Sequence, residues 1–414
     1  MLSLLRSKLT AAALFAATVA AFGLARPSAS FAEIGPAPAT RHYGWAGEQA
    51  AAQARAALGN EIIPFAATAR EYKAVGEGRI CLWHFMQTAH QGDHLHNIPQ
   101  QVGDCVSWGF GHACEYSQAV HWAVSGGEDR VFREAFKPYL YGTGRVFIGR
   151  GNLGGDGSTG AWQSRAIEEY GVLPVDAEDC PDYSGTIARR WGAPPGPPRS
   201  FVEIAKSHRG ECRLVTTWED ACVAISNGCP VAVCSGYGFR VQEKNGRIEG
   251  YRSGSWSHCM CFIACDTRRG FEALYCLNSW GPNAHTKAER YEATDGAPPG
   301  GFWVLRRDAE GMLSARDSYS VDFTGFDDSV EREERTARLF GWINSHEEGE
   351  SHARVSESSR ESGGVHDGEP GPRTGAADPF VAPVRDGAGD LDAGAILLQR
   401  RPLLELPRGV RRLL

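Results

Sequence analysis

The chain has 414 residues, too many for a minimal domain; at roughly 100–200 residues per domain it allows two or three, or one large domain with tails. With 42% hydrophobic and 22% charged residues it is globular in composition, and 50 Gly with 22 Pro rule out a long helical rod. The net charge is −7 and only six of the 43 basic residues are Lys, which excludes a polybasic nucleic-acid binder and a membrane-surface protein.

Residues 1–32 have the order of a secretory signal peptide. Arg6 and Lys8 precede the apolar run Ala11–Ala25, and Ser30-Phe31-Ala32 forms a cleavage site before Glu33. The run is short for a membrane span, and no other segment reaches ~18 apolar residues, so the expectation is an exported, periplasmic or secreted protein. Residues 33–94 form an N-terminal extension: a Pro/Ala-rich linker to residue 44, then an Ala-rich packing helix over Trp45–Leu58. His84, His90, His94 and His96 crowd near Cys81, but their spacing fits no common zinc pattern, and neither metal nor organic cofactor is expected. The twelve cysteines fall mostly in apolar runs, as small buried hydrophobes do; export would permit one or two disulfides.

Apolar spacing predicts a helix over about Asp104–Ser125. A Gly-rich loop covers Gly149–Gly160, a helix follows over Ala161–Tyr170, and Gly171 stops it in a left-handed turn. Another helix spans Trp218–Ser226 and stops at Gly228. The pattern then turns to short strands at Val231–Cys234, Cys259–Ala264, Ala273–Leu277 and Phe302–Arg306. Helices first and strands second in one block, about 95–325, predict an α+β domain of two lobes. Residues 326–414 are rich in Glu, Arg, Ser, Gly and Pro, a composition that reads as a disordered tail dispensable for folding.

Three local features carry chemistry. Gln100-Gln101-Val-Gly-Asp-Cys105 is a Gly-turned loop that opens a helix at a cysteine, where the helix dipole favours thiolate. Trp256-Ser257-His258-Cys259 puts a histidine at the start of an apolar strand, and Asn278-Ser279-Trp280-Gly281 puts an amide at a strand end beside an indole. A histidine can hold a thiolate as an ion pair and later protonate a leaving amine. An amide oxygen can fix the imidazole tautomer, and a Gln can join the Cys backbone N–H on an oxyanion.

In the order Gln, Cys, His, Asn, at intervals of 153 and 20 residues from Cys105 to His258 to Asn278, the chain resembles the papain-like cysteine peptidases, as a divergent bacterial or phage-type member. Gly155-Asp-Gly157-Ser158 looks like their substrate-facing loop, and Gly228-Cys-Pro230-Val231 like the strand beside their main pocket. The resemblance covers about residues 95–322. It implies a papain-like two-lobe fold, a helical lobe and a β-rich, barrel-like lobe with the cleft between them. It implies peptide hydrolysis by a monomer acting on a peptide or protein substrate, without nucleic acid or membrane as partner. The implied catalytic set is Cys105, His258, Asn278 and Gln101, with Gly157, Ser158, Cys234, Ser257, Cys259 and Trp280 binding substrate.

Two departures leave alternatives open. The family Gln lies six residues before the nucleophile, whereas Gln100 and Gln101 lie five and four before Cys105. A gapless match from Gln101 puts Ser107 at the nucleophile position, which would make an inactive binding or assembly protein; Cys105 is the preferred register, with a thiol pKa expected at roughly 3–4 against about 8.5 for a free cysteine. The N-terminal extension is shorter than the usual inhibitory pro-segment, so autoinhibition by that device is not expected. Cys234, Ser257 and Cys259 are neither large nor charged, so the pocket they wall is expected to take medium apolar side chains. A cell-wall amidase is the remaining alternative, disfavoured by Asn278-Ser279-Trp280-Gly281.

Overall fold

The structure, a computed structural model, describes residues 41–68, 78–125, 132–285 and 295–326. The expected signal peptide, and the tail beyond Phe326, lie outside the described residues.

One helix, Cys105–Val124, runs through the middle, and 18 of its 20 residues are buried. The expectation was an apolar stripe; the structure buries the helix on all sides, as befits a helix with few charges. Its glycines set how near its neighbours come. A Cβ on Gly109 would lie 2.7 Å from Cys259 Sγ and 2.9 Å from the Met260 carbonyl, so the helix rests directly on the strand that carries His258. Shorter helices surround it on one side: Trp83–Ala89, Lys137–Gly142, Gly160–Tyr170 and Gly185–Trp191. The Gly160–Tyr170 helix is capped by the Thr159 hydroxyl, which accepts from Trp162 N, and it ends at Gly171 with φ 73°, the left-handed stop read from the sequence.

The other side is a seven-stranded sheet: β1 Arg79–Cys81, β2 Glu211–Val215, β3 Val231–Lys244, β4 Arg247–Asp266, β5 Ala273–Leu277, β6 Gly301–Leu305 and β7 Ser318–Asp322. The order is β2-β7-β3-β4-β5-β6, with β1 beside β4. β4 pairs antiparallel with β3 and β5, and its first half also pairs parallel with β6 at Glu249↔Trp303. The sheet thereby curls back on itself. The strands expected at Val231–Cys234 and Cys259–Ala264 are the inner ends of a long β3–β4 hairpin, closed at Asn245-Gly246 with both φ positive (53° and 70°). That is the Asn-Gly hairpin signal, and it was there to be read.

The body of the fold starts earlier than residue 95. β1 pairs with the end of β4, from Arg79↔Asp266 to Cys81↔Ala264, and Leu82, Trp83, Phe85 and Met86 are buried in the common core. The helix at Glu48–Leu58 also packs in, through Ala51 and Ala54. None of the twelve cysteines is disulfide-bonded, and all but Cys180 are buried. The described residues contain no metal-ligand cluster, and no helix among them is long and apolar enough to cross a membrane.

Candidate active site

Cys105 is the first residue of the central helix, and its Sγ accepts from the backbone N–H of Cys259 at 3.3 Å. The thiol therefore lies one peptide unit from His258. Ser107 does not compete for this place: its Oγ is turned back onto the Asp104 carbonyl at 2.7 Å, inside the helix's first turn. Asn278 follows β5, whose Leu277 pairs with Cys261, so the chain returns beside His258 on the neighbouring strand. Asn278 Oδ1 lies 2.8 Å from His258 Nε2 and also accepts from Ser279 N at 2.7 Å. With Nε2 carrying its proton to that oxygen, Nδ1 is the free imidazole nitrogen; it is buried and without a hydrogen-bond partner. The Trp280 ring stacks on the imidazole at 4.6 Å and covers it.

The two glutamines part company. Gln101 is exposed, its Oε1 accepts from Gly185 N at 3.0 Å, and its backbone N–H donates to Tyr183. It is not gathered with Cys105 and His258. Gln100 is buried, and its Oε1 accepts from the hydroxyl of Ser279, next to Asn278, at 2.5 Å. Its Nε2 donates to the Val102 carbonyl at 2.8 Å.

Two site residues escaped the sequence reading. His285 Nε2 accepts from Asn278 Nδ2 at 3.0 Å, so the Asn278 amide is held from both ends and its oxygen must face His258. Arg145 is buried and donates to the carbonyls of Leu153, Gly155 and Gly157, while Tyr141 Oη accepts from Gly157 N at 2.8 Å. Gly157 has φ 120°, a conformation suited to glycine. These contacts shape the loop that presents Gly157 and Ser158. Nothing in local sequence marks an arginine as the centre of a loop eight to twelve residues downstream.

The cleft is occupied by the chain's own N-terminal segment. Ser158 N donates to the Gly44 carbonyl at 2.8 Å, and Ala46 N donates to the Ser158 carbonyl at 2.9 Å, a parallel bridge between Trp45 and Ser158. Gly44 N and Trp45 N both donate to the Ser257 carbonyl. Trp280 Nε1 donates to the His42 carbonyl, Tyr43 sets its ring edge-on to His258 and Trp280, and Arg41 lies over the Trp256 and Trp280 rings. A side chain on Gly44 would overlap the Gly103 carbonyl, so this close passage needs glycine. The extension, from which autoinhibition in the manner of the usual pro-segment is not expected, lays the six residues Arg41–Ala46 as a strap against Ser158, Ser257 and Trp280.

Burial sets the electrostatics. It drives the Cys105 thiol well above the ordinary cysteine range, although the N–H groups of Cys259 and Gly44 pull the other way. It pushes His258 down to about 4, and the Asn278 contact offsets this only in part. His285 is pushed down to about 3, first by burial and then by Arg41 and His258. The low thiol pKa expected from the helix dipole is thus overturned in this closed state: desolvation outweighs a dipole worth typically 0.3–1 kcal/mol.

No protein-family model matches the chain, and no curated protein sequence matches it. Solved structures similar to it include xylellain, a cysteine protease from Xylella fastidiosa, at 13% identity over 70% of this chain and 98% of that one, TM-score 0.42. They also include the ragweed pollen cysteine protease Amb a 11 in its proform, at 13% identity over 66% and 72%, TM-score 0.40. Digestive procathepsin L 3 of Tenebrio molitor matches at 16% over 63% and 73%, TM-score 0.38.

Proposed function

We propose that the protein is a papain-like cysteine peptidase with Cys105 as nucleophile. The observation that carries this is the position of Cys105 Sγ, 3.3 Å from Cys259 N, beside a His258 whose Nε2 is committed to Asn278 and whose Nδ1 is free. Once the strap leaves, water reaches the site, the desolvation that keeps the thiol protonated falls, and Nδ1 can take its proton. The thiolate attacks the scissile carbonyl carbon. His258 returns the proton to the departing amine, leaving a thioester on Cys105. Water then attacks the thioester with His258 as base, releasing the acid and restoring the thiol. Asn278 keeps the imidazole in the required tautomer. The Cys105 backbone N–H and Gln100 are the donors for the oxyanion: Gln100 is the buried glutamine of the pair, its Oε1 is fixed by the Ser279 hydroxyl, and one Nε2 proton is left beyond the one given to the Val102 carbonyl. Ser158 pairs with substrate backbone, as it now pairs with Gly44 and Ala46. The basic and apolar character of residues 1–32 supports export.

The test is a pair of variants assayed on an unstructured protein substrate. Cys105→Ala abolishes cleavage, and Ser107→Ala keeps most of it. The reverse pattern, or cleavage surviving in Cys105→Ala, overturns the assignment. A second reading, a binding protein on the same fold, is favoured by one observation: Cys105 is fully buried, with the segment Arg41–Ala46 across the neighbouring Ser158, Ser257 and Trp280. It predicts no cleavage and slow alkylation of Cys105 under all conditions.

A further inference from the structure

Two buried carboxylates stand at helix starts, and they are held differently. Asp317, just before β7, caps the Gly160–Tyr170 helix: it accepts from Gly160 N at 2.7 Å and Ala161 N at 3.0 Å, Trp45 Nε1 donates to it at 2.9 Å, and Arg55 lies 3.8 Å away. Asp104 is as deeply buried and occupies the N-cap position of the central helix, one residue before Cys105, yet its side chain caps nothing. The N–H groups of Ser107 and Trp108 return to its backbone carbonyl instead, at 3.0 and 3.3 Å. Its Oδ2 accepts from the Tyr183 hydroxyl at 3.1 Å; Oδ1 is buried without a partner. Tyr183 in turn accepts from Gln101 N at 2.8 Å, which leaves its proton for Asp104.

An aspartate at a helix start ordinarily gives its carboxylate to the helix N–H groups. Turned away from them, Asp104 keeps its charge beside the thiol. Burial raises its carboxyl to about 7; the Tyr183 hydroxyl and the Trp108 indole favour the charged form, and the charge of Asp156 opposes it. Asp156 itself is paired with Arg189 at 3.2 Å. Tyr183 and Tyr141, which also face Asp104, are held above the ordinary tyrosine range by burial. Lys137, over the Trp108 ring, is paired with Glu115. Burial raises Glu115 to about 7 as well. It lies eleven residues on, roughly 16 Å along the helix, too far to act on the thiol. Burial is the largest reason the Cys105 thiol lies high, and the Asp104 charge adds to it, as a negative neighbour disfavours a thiolate.

We propose that Asp104 is a positioning residue for the chemistry of Cys105: neutral, it lets the helix start favour the thiolate, and charged, it holds the thiol back. The proposal rests on Cys105 being the reactive thiol, not on what the cleft cuts. Tyr183 belongs to the body of the fold and not to the strap, so the control persists when the cleft opens.

The test follows iodoacetamide alkylation at Cys105 by mass spectrometry in the full chain, from pH 5 to pH 9. Each variant is read as a ratio to the unaltered protein at the same pH. Asp104→Asn should react at the same rate as the unaltered protein at pH 5, where both side chains are neutral, and about fivefold faster at pH 8. Tyr183→Phe keeps the carboxyl but withdraws its donor, so its ratio should rise near pH 7 and return to one by pH 9, where both carboxyls are charged. A merely structural role moves a ratio equally at every pH. A ratio that does not change with pH in Asp104→Asn overturns the proposal, whatever its value. If Asp104→Asn does not fold, a flat ratio in Tyr183→Phe overturns it by itself. Cleavage of an unstructured protein substrate is measured beside these rates. Cleavage with flat ratios removes this proposal and leaves the peptidase reading; pH-dependent ratios without cleavage do the reverse.

Discussion

The two halves of the cleft are built differently. The half around His258 is tied mostly within itself: Asn278 bonds His258, Ser279 N and His285, and Ser279 bonds Gln100, while Trp280 alone of these residues donates to the strap, at the His42 carbonyl. The half around Asp317 is completed by the strap, through Trp45 and through Arg55 of the helix that follows it. One half is held together by its own side chains, and the other is completed by a preceding piece of the chain. The strap runs parallel to Ser158 and turns the Gly44 N–H, not a carbonyl carbon, toward the thiol.

The sharpest way to break this contrast is Gly44→Ala. The added Cβ meets the backbone carbonyl of Gly103, which cannot swing aside as a side chain would. The strap should leave the cleft while the His258 half stays assembled. Alkylation of Cys105 by iodoacetamide at neutral pH should rise at least tenfold over the unaltered chain. An unchanged rate would mean that the strap does not guard the thiol.

The opposite half is tested at His285. Replacing it by Phe keeps the ring against Trp256 and Phe302 but removes the acceptor for Asn278 Nδ2. A neutral hydrogen bond is worth about 1 kcal/mol net, so kcat should fall roughly fivefold with KM little changed. The basic limb of the pH profile should move down, because an amide free to turn supports the imidazolium less well. Gln at 285, whose oxygen can accept, should recover most of the loss. If Gln is no better than Phe, His285 only fills space.

The same contrast explains what could be read beforehand. Cys105, His258 and Asn278 each sit at a helix start or strand end, flanked by Gly, Trp and apolar runs, and such local marks survive in sequence. The helices at Ala161–Tyr170 and Trp218–Ser226 were legible through their stop signals, and both are present. Asp317 was not legible, because it acts on Trp45 across 272 residues, and an Arg-Asp-Ser run says nothing about what it will cap. Gln101, in the catalytic set that the resemblance implies, is exposed and its Oε1 accepts from Gly185 N, whereas Gln100 is buried, a difference that two adjacent glutamines in a loop do not show in sequence. The thiol pKa was misjudged because a helix start is visible in sequence and burial under a remote segment is not.

The smallest effect expected is on pH. Burial holds His258 at about 4, and burial together with the charges of Arg41 and His258 holds the half-buried His285 at about 3, both below the ordinary imidazole value near 6.5. With the strap out, water returns and both values rise toward ordinary. The open form therefore binds more protons as pH falls from about 6.5, and acid favours opening; the strap's advantage is full above 6.5 and shrinks as pH drops toward 4. Asp317 opposes this, since burial has raised it to about 6 and the closed form keeps its proton better between that pH and 3.8. Arg41 adds to the repulsion that holds His285 down once the imidazole is protonated. Two imidazoles against one carboxyl leave a net push toward opening. Amide exchange at Gly44, Trp45 and Ala46, corrected for its intrinsic pH dependence, should be several-fold faster at pH 5 than at pH 7. His285→Gln should remove part of that difference. Exchange that is equal at the two pH values, or slower at pH 5, would show that the carboxyl, and not the imidazole pair, governs the strap.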